Sequence, residues 1–209
     1  MLDGPQILQK ITPVSRETEE KLVIYAGLLE KWQKSQNLVS PLTLTHLWQR
    51  HMADSLQLLE YGRPEGPWID LGSGAGFPGL VIAIAGEGRA GHHVHLVESN
   101  QGKCAFLSEV IRATGAPATF HPLRIEDCGD ILARIDKTVT ARALAPLHRL
   151  CSYVGPMLTG GSLALFPKGR KAGVEIKEAE RQFRFDLEQM ASKTDPEAVI
   201  LRLRNIIKV

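Results

Sequence analysis

The chain has 209 residues, of which 44% are hydrophobic and 23% are charged. This composition is typical of a globular protein and excludes a disordered, collagen-like or coiled-coil chain. The 25 Lys and Arg against 23 Asp and Glu give a formal net charge of +2. That is not the strongly basic balance of a protein that wraps nucleic acid over its whole surface.

Cysteine spacing and the absence of long apolar runs indicate the compartment. Cys104, Cys128 and Cys151 are widely separated, which predicts neither a disulfide framework nor a zinc site. No basic segment followed by an apolar run opens the chain, so we expect no signal peptide. The longest apolar run, residues 80–85, is too short to span a bilayer. We therefore expect a cytoplasmic protein with no membrane segment.

The first 60 or so residues have the pattern of helices. Thr12 is placed to cap the first of them, and a second helix is expected from about Thr43. Apolar residues recur at helical spacing along the first helix, at Leu22, Tyr25, Ala26, Leu29 and Trp32. The Gly- and Pro-rich segment 62–67 then ends the pattern. We predict a helical cap over residues 1–64 and a second domain over 65–209.

Short strands alternate with helices after that linker. The predicted strands are residues 68–71, 94–97, 118–121, 138–141 and 162–166, and the predicted helices are 80–85, 103–114, 146–158 and 173–182. Such alternation predicts a parallel sheet with helices on both faces. Residues 183–190 and 198–206 have no helix between them, which indicates a closing antiparallel pair.

A glycine-rich loop follows the first strand, with Gly72, Gly74 and Gly76 at alternate positions. Glycine allows tight turns and close approach of a ligand to the backbone. Two cofactor classes fit. The spacing from Gly74 to Gly79 matches the dinucleotide pattern G-x-G-x-x-G, which would indicate an NAD-dependent oxidoreductase.

The second cofactor class is indicated by a pattern that begins two residues before the first glycine, at Asp70. A carboxylate two residues before the first glycine repels a pyrophosphate, but it could orient a cationic amino-acid ligand directly or through water. S-adenosylmethionine is such a ligand, since it has a sulfonium, an ammonium and no phosphate. Glu98, at the end of the second strand, then suits the ribose hydroxyls because a carboxylate accepts two hydrogen bonds.

This pattern resembles the class I S-adenosylmethionine-dependent methyltransferases. Gly-Ser-Gly-Ala-Gly-Phe-Pro-Gly at residues 72–79 is similar, more closely, to the bacterial small-subunit rRNA guanine-N7 methyltransferases, the glucose-inhibited division protein B family. The resemblance covers the chain from about residue 30 onward. Its other motifs are Trp32, Asn37-Leu38, residues 50–56, Arg124-Ile125-Glu126, residues 140–143 and Lys168-Gly169.

The resemblance implies an α/β fold: a Rossmann-like, seven-stranded, mostly parallel sheet with an antiparallel C-terminal strand, preceded by the helical cap. It implies methyl transfer from S-adenosylmethionine to guanine N7 of 16S rRNA in the small ribosomal subunit. Separately, we expect a monomer without a metal. Ile125 and Glu126 would flank the adenine, and Arg142 would lie at the cofactor beside the incoming base. The implied cofactor-binding residues are Asp70, Gly72, Ser73, Gly74, Gly76, Phe77, Glu98, Ile125, Glu126 and Arg142.

The motifs of the sequence can be compared with those that each class of methyl acceptor requires. The fourth strand leads into Thr140-Ala-Arg142-Ala-Leu144 rather than the Asp/Asn-Pro-Pro-aromatic loop common for exocyclic amines. No cysteine lies in a turn that would poise it to attack a pyrimidine. Guanine N7 carries an exposed lone pair and needs no deprotonation, so alignment and electrostatics suffice. We assign no catalytic acid or base.

Basic residues after the fifth strand are expected to ring the cleft. Six basic and three acidic residues lie between Lys168 and Arg184. RNA should meet such a surface. The residues expected to contact RNA are Arg124, Arg142, Lys168, Arg170 and Lys171.

Two questions stay open at this level. His51 and Asp54 are three residues apart on the second helix, and they could be core residues or a pair facing the cofactor cleft. They have too few neighbours of the right type for a metal site. A non-enzymatic RNA-binding module with the same fold is a third functional hypothesis, against which the intact glycine loop argues.

Overall fold

A computed structural model describes residues 4–129, 136–158 and 160–209. The signal-peptide expectation depends partly on residues 1–3, which lie outside this range. Across the described residues, no helix is both long enough and apolar enough to cross a membrane.

The amino-terminal region is helical but more broken than predicted. Its segments are α1 (Leu8–Ile11), α2 (Arg16–Gln33), α3 (Pro41–Leu44), a π-helical segment (Trp48–Ala53), α4 (Asp54–Leu56) and a 3-10 segment (Gln57–Glu60). The continuous second helix expected from Thr43 is therefore wrong. Widened π segments often occur at functional sites, and this one carries His51.

Helix α2 begins at a different cap from the predicted one. The Ser15 hydroxyl accepts a hydrogen bond from the Thr18 N–H at 3.2 Å, which satisfies a free donor of the first turn. Thr12 instead follows the end of α1, where its N–H bonds the Leu8 carbonyl at 2.9 Å. The predicted apolar face is confirmed, since Leu22, Tyr25, Ala26 and Leu29 are buried.

Seven strands form one sheet in the order β3-β2-β1-β4-β5-β7-β6. They are β1 (Trp68–Leu71), β2 (Val94–Val97), β3 (Ala118–His121), β4 (Thr138–Thr140), β5 (Leu163–Lys168), β6 (Phe183–Ala191) and β7 (Val199–Lys208). The first five pair in parallel, and β7 is antiparallel to both β5 and β6. The predicted sheet is confirmed.

The strand order sets where a ligand can bind. Strand β1 pairs with β2 on one side and β4 on the other. The chain therefore runs outward from β1 through β2 to β3 and then crosses back to β4 on the opposite side of β1. A crevice opens at the carboxyl ends of two such strands. The glycine loop after β1 and Arg142 after β4 both lie at this edge.

Helices cover both faces of the sheet. They are α5 (Gly79–Ala85), α6 (Gln101–Thr114), α7 (Leu147–Val154) and α8 (Ala172–Ala179). Tyr25 and Leu29 of the cap share one buried cluster with Leu80 and Phe106 of the sheet domain. The cap therefore packs directly onto one face of the core. Its boundary at residue 64 stays a prediction.

Candidate cofactor and acceptor site

The glycine loop is held in a backbone conformation that favours glycine. Gly72, Gly74 and Gly76 have φ angles of +66°, +57° and +92°. At Gly76 a Cβ would lie 2.4 Å from Leu80 Cδ1 and 2.8 Å from the Tyr25 hydroxyl. The loop is thus packed tightly between α5 and the cap. At Gly74 the nearest atom to a Cβ is 3.8 Å away, so that part of the loop is open to a ligand.

Asp70 supports this loop from behind. Its Oδ2 accepts the Gly79 N–H at 3.2 Å, and its Oδ1 accepts the Thr140 hydroxyl at 3.0 Å. Burial raises the pKa of Asp70 to about 6, although hydrogen bonds from Thr140, Ser73 and Gly79 oppose the shift. We expected Asp70 to orient a cationic ligand. The structure gives both carboxylate oxygens a partner in the protein and makes Asp70 the tie between the loop and β4.

Glu98 holds the crest of the same loop. Its Oε2 accepts the Gly74 N–H at 2.9 Å, and its Oε1 accepts the Asn100 N–H at 2.8 Å. Each carboxylate oxygen can accept a second hydrogen bond. Glu98 therefore fixes the loop and still has acceptor capacity for two ribose hydroxyls.

The cap and the segment after β4 meet on one aromatic ring of the loop. The Tyr25 ring stacks on Phe77 at a centroid distance of 5.1 Å, and its hydroxyl donates to the Ala75 carbonyl. The His51 ring lies 4.9 Å from Phe77, and the Arg142 guanidinium lies 5.4 Å from the same ring centroid. Phe77 thus joins cap, loop and Arg142 in one contact.

Arg142 is fixed by the cap. It donates to the Arg50 carbonyl at 2.9 Å and to His51 Nδ1 at 2.6 Å, and it lies 3.6 Å from Asp54 Oδ2. Burial lowers the pKa of His51 to about 3, with the charges of Arg142 and Arg50 adding to the effect. A neutral ring that accepts at Nδ1 carries its proton on Nε2. His51 and Asp54 therefore both face the cleft, and each is paired with Arg142 rather than with the other.

Two cavities open on either side of this arrangement. The first, the glycine-loop cavity, has a volume of about 440 Å³ and is lined by residues 38–40, Thr43, His51, residues 72–75, Phe77, Lys103, Arg142 and Ala143. The second, the hairpin cavity, has a volume of about 560 Å³. It is lined by Thr43, Arg50, His51, Asp54, residues 142–146, residues 167–169, Glu175, Ser192, Thr194, Asp195 and residues 198–200.

His51 and Arg142 line both cavities and form part of the wall between them. Both volumes lie in the range of small-molecule sites. The two cavities therefore adjoin each other across Arg142, at the edge of the sheet where the strand order reverses.

Charged side chains line the hairpin cavity in pairs. Arg142 faces Asp54, Lys168 bonds Glu175 at 2.8 Å, and Arg50 lies 3.1 Å from Asp195. The predicted rim position of Lys168 needs correction. Its ammonium also donates to the Ala145 carbonyl at 2.8 Å, and its side chain is 11% exposed. Lys168 is part of the cavity wall.

The other predicted RNA contacts lie farther out. Arg170 is exposed and bonds Glu197, and Lys171 is exposed just before α8. Arg124 is exposed beside the 3-10 turn Ile125–Asp127. Their contact with RNA stays a prediction.

The two residues predicted to flank the adenine, Ile125 and Glu126, differ in solvent exposure. Ile125 packs against the cluster that contains Val139 and Ala141, whereas Glu126 is exposed. Neither is among the described residues that line the two cavities. Their role at the adenine stays a prediction.

The cysteines are structural. Cys104, Cys128 and Cys151 are buried free thiols, and burial raises the pKa of each, for Cys151 to about 12. No reactive thiolate is therefore expected from them at neutral pH. Within the described ranges, no three His, Cys, Asp or Glu side chains are arranged to hold a metal ion.

One wall of the glycine-loop cavity was missed. Residues 38–40 line it, and Gln33 holds them in place. The Gln33 Oε1 accepts the N–H groups of Leu38 and Val39 at 3.0 Å each, and its Nε2 donates to the Val39 carbonyl at 2.9 Å. The resemblance motif Asn37-Leu38 lies at the start of this segment, but it did not indicate that the segment lines the cavity.

The glycine-loop cavity fits S-adenosylmethionine. Lys103 and Arg142 line it and suit the carboxylate of an amino-acid group. Glu98 does not itself line the cavity, but it holds the lining residue Gly74 and has the acceptors a ribose requires. The open space at Gly74 allows a ligand to contact the loop backbone. The buried Asp70 carboxylate behind the loop does not suit a pyrophosphate.

Comparison with known proteins agrees with this arrangement. Residues 18–200 match the GidB family, rRNA small subunit methyltransferase G. Ribosomal RNA small subunit methyltransferase G of Methylorubrum populi is 52% identical over 196 residues, covering 94% of this chain and 92% of that protein. The protein of the same name from Parvibaculum lavamentivorans is 47% identical over 218 residues, covering 97% and 92%.

Solved structures give the same fold at low sequence identity. A ribosomal protein L11 methylase from Lactobacillus delbrueckii subsp. bulgaricus has a TM-score of 0.57 at 16% identity, covering 75% of this chain and 78% of that one. A TehB-like SAM-dependent methyltransferase from Corynebacterium glutamicum has a TM-score of 0.57 at 13% identity, covering 87% and 98%. The chain belongs to the rRNA small subunit methyltransferase G family and is an S-adenosylmethionine-dependent rRNA methyltransferase.

Proposed function

We propose that this enzyme transfers a methyl group from S-adenosylmethionine to guanine N7 of 16S rRNA. Its substrate is the folded RNA of the small ribosomal subunit, and it acts as a monomer in the cytoplasm. The family relationship supports an rRNA acceptor. The charge arrangement of the hairpin cavity supports guanine N7.

Each carboxylate that lines the hairpin cavity is engaged with a cation. Asp54 faces Arg142, Glu175 bonds Lys168 and Asp195 pairs with Arg50. His51, which lines the same cavity, already uses its Nδ1 lone pair to accept from Arg142. These groups are poor candidates to take a proton from an acceptor amine. Guanine N7 loses no proton on methylation, so it needs no general base.

S-adenosylmethionine supplies an electrophilic methyl group bound to a positively charged sulfur. The protein's part is to align the base and to balance charge. Arg142 lies in the wall between the cavities, and its N–H donors suit guanine O6 while N7 stays free. N7 methylation places positive charge on the purine, and the pairing of Arg142 with Asp54 and of Lys168 with Glu175 keeps the cavity wall from adding uncompensated positive charge beside it.

We assign roles to the other predicted residues by where they lie: at the glycine loop, in the wall of the hairpin cavity, or on the exposed surface around it. Glu98 and the loop residues Gly72, Ser73, Gly74 and Phe77 hold the cofactor, with Asp70 and Gly76 shaping the loop. Lys168 stabilises the base-binding wall. The exposed Arg124, Arg170 and Lys171 bind phosphates around the cleft.

Labelled S-adenosylmethionine and small subunits that lack the modification test the proposal. We expect label in 16S rRNA at a guanine that becomes sensitive to borohydride reduction and aniline cleavage, the chemical signature of N7-methylguanosine. Assembled subunits should be labelled faster than naked 16S rRNA. No label, or label at a position resistant to this cleavage, contradicts the assignment.

A pair of arginine variants tests the role of Arg142, which lies between the two cavities. Arg142→Ala should lower turnover by roughly a hundredfold or more while RNA binding is retained. Arg112→Ala removes an exposed arginine of α6 that pairs with Glu109 and should behave as wild type. Loss of RNA binding together with turnover in Arg142→Ala would place Arg142 in docking rather than alignment.

A further inference from the structure

The turn between β6 and β7 lies far from the glycine loop in sequence but forms part of the hairpin cavity. Ser192, Thr194 and Asp195 all line that cavity. The turn is docked on the cap by side chains. The Gln57 Oε1 accepts the Lys193 N–H at 2.9 Å, and the Gln49 amide donates to the Thr194 carbonyl at 3.1 Å.

Asp54 connects this turn to the site. Its Oδ1 accepts the Thr194 hydroxyl at 2.7 Å and the Gln57 amide at 2.9 Å. Its Oδ2 faces the Arg142 guanidinium at 3.6 Å. One carboxylate therefore has one oxygen fixed by the turn and the cap, and the other directed at Arg142.

This arrangement restrains the Asp54 carboxylate next to Arg142. Two hydrogen bonds to Oδ1 remove the freedom of the Asp54 carboxylate to rotate and close directly on Arg142. The 3.6 Å separation is longer than a charge-assisted hydrogen bond. Arg142 is thereby attracted toward the cap while it keeps donors available, since contacts with Arg50 and His51 use only two of the five N–H groups of a guanidinium.

We propose that the β6–β7 turn sets the position of Arg142 through Thr194 and Asp54, which are positioning residues for methyl transfer. Because Thr194 also lines the hairpin cavity, an acceptor base bound there meets the turn and Arg142 as one unit. The inference rests on the proposed function, in which Arg142 aligns the base. It assigns a part in the reaction to a segment about 140 residues away from Asp54 along the chain.

The test compares Thr194→Val with Thr194→Ser and Lys193→Gln. Valine keeps the shape of threonine and removes the donor to Asp54, whereas serine retains it. Lys193→Gln changes the neighbouring residue of the turn and removes its ion pair with Glu60 of the cap, a contact that does not involve Asp54. The readouts are kcat and KM for small subunits, the dissociation constant of S-adenosylhomocysteine, and the melting temperature.

We expect Thr194→Val to lower kcat for small subunits about tenfold, with cofactor affinity within about twofold of wild type. Thr194→Ser and Lys193→Gln should both stay within about twofold of the wild-type kcat. In the Asp54→Asn background, Thr194→Val should cause little additional loss, because both substitutions interrupt one chain of contacts.

The inference is overturned if Thr194→Val leaves kcat unchanged, if serine fails to restore it, or if kcat and cofactor affinity fall together with the melting temperature. Wild-type protein in the same assay separates this failure from failure of the proposed function. An inactive wild type refutes methylation of small subunits. An active wild type with a fully active Thr194→Val refutes only the coupling through Asp54.

Discussion

The two cavities are built in different ways. The glycine-loop cavity is bounded largely by backbone, and that backbone is fixed by the buried carboxylates of Asp70 and Glu98. The hairpin cavity is bounded by charged side chains paired with one another, such as Lys168 with Glu175. Leu38, Ala75 and Phe77 of the hydrophobic core line the first, whereas three ion pairs line the second. Substitutions in the first should therefore change folding and cofactor affinity together, whereas those in the second should change turnover alone.

The largest effect is expected at Gly76. In Gly76→Ala a methyl group would lie 2.4 Å from Leu80 Cδ1 at a φ of +92°. Strain and overpacking should lower the free energy of unfolding by about 2–4 kcal/mol and cofactor affinity by tenfold or more. Gly88 has a similar φ of +87° with no atom within 4 Å of a Cβ, so Gly88→Ala should cost only about 1 kcal/mol.

Denaturant unfolding and titration calorimetry with S-adenosylhomocysteine measure both quantities. Equal losses of unfolding free energy in the two alanine variants would mean that packing around the loop contributes nothing to stability. The glycine-loop cavity would then not couple folding to cofactor affinity.

The second prediction concerns Lys168. Lys168→Met removes the cation from Glu175 and the donor to the Ala145 carbonyl inside the hairpin cavity. Turnover should fall about tenfold or more, with cofactor affinity within about twofold and unfolding free energy lowered by less than about 2 kcal/mol. Lys171→Met, at the exposed neighbour, is the control and should leave turnover within about twofold, with any loss of RNA affinity largest at low salt. A parallel loss of cofactor affinity in Lys168→Met would show that the two cavities are not separable.

The third prediction is a pH dependence of stability. Because burial raises the pKa of Asp70 from 3.8 to about 6, the folded state retains a proton that the unfolded state has released. Stability due to this carboxyl is therefore highest below about pH 4, falls as the pH rises to about 6, and is constant above. In Asp70→Asn the amide oxygen can still accept the Gly79 N–H, and this titration is absent.

Denaturant unfolding across that interval should show the wild type losing stability relative to Asp70→Asn as the pH rises. Parallel profiles of the two proteins would contradict the assignment of Asp70 as a strained support of the loop.

The smallest effect is expected at Tyr25. Tyr25→Phe keeps the stack on Phe77 and removes the hydroxyl that bonds the Ala75 carbonyl. The cost should be about 1 kcal/mol in unfolding free energy, with cofactor affinity weakened about threefold. Tyr153→Phe is the matched control, because within the described ranges the Tyr153 hydroxyl bonds Arg149 on an exposed helix surface and is not hydrogen-bonded to the glycine loop. Unchanged cofactor affinity in Tyr25→Phe would show that the cap does not support the loop.

The sequence predicts the parallel part of the fold well, and the reason is local. Strands β1, β2 and β3 begin and end where predicted because each is a short run bounded by turn residues, and β1 and most of β2 are also buried. The helical cap is different. Its apolar spacing predicts one continuous helix from Thr43, but the structure has π, α and 3-10 segments there, and His51 of the π segment contacts Phe77 and Arg142.

In the candidate site too, local sequence signals predict one part and not the other. Glycine spacing and the acids at Asp70 and Glu98 are local signals, so the glycine-loop cavity was predictable. The pairing of Lys168 with Glu175 and of Asp54 with Thr194 depends on tertiary contacts that no spacing rule encodes. Lys168 was therefore predicted on an exposed rim, and the partner of Asp54 was not predicted.

The antiparallel hairpin has a consequence for synthesis of the protein. The β6–β7 turn emerges from the ribosome after every parallel strand and both loops of the glycine-loop cavity. A growing chain can therefore assemble the cofactor half before residues 192–200 exist to complete the hairpin cavity. On the proposed function, the base-binding wall is complete only once β7 has paired with β5 and β6.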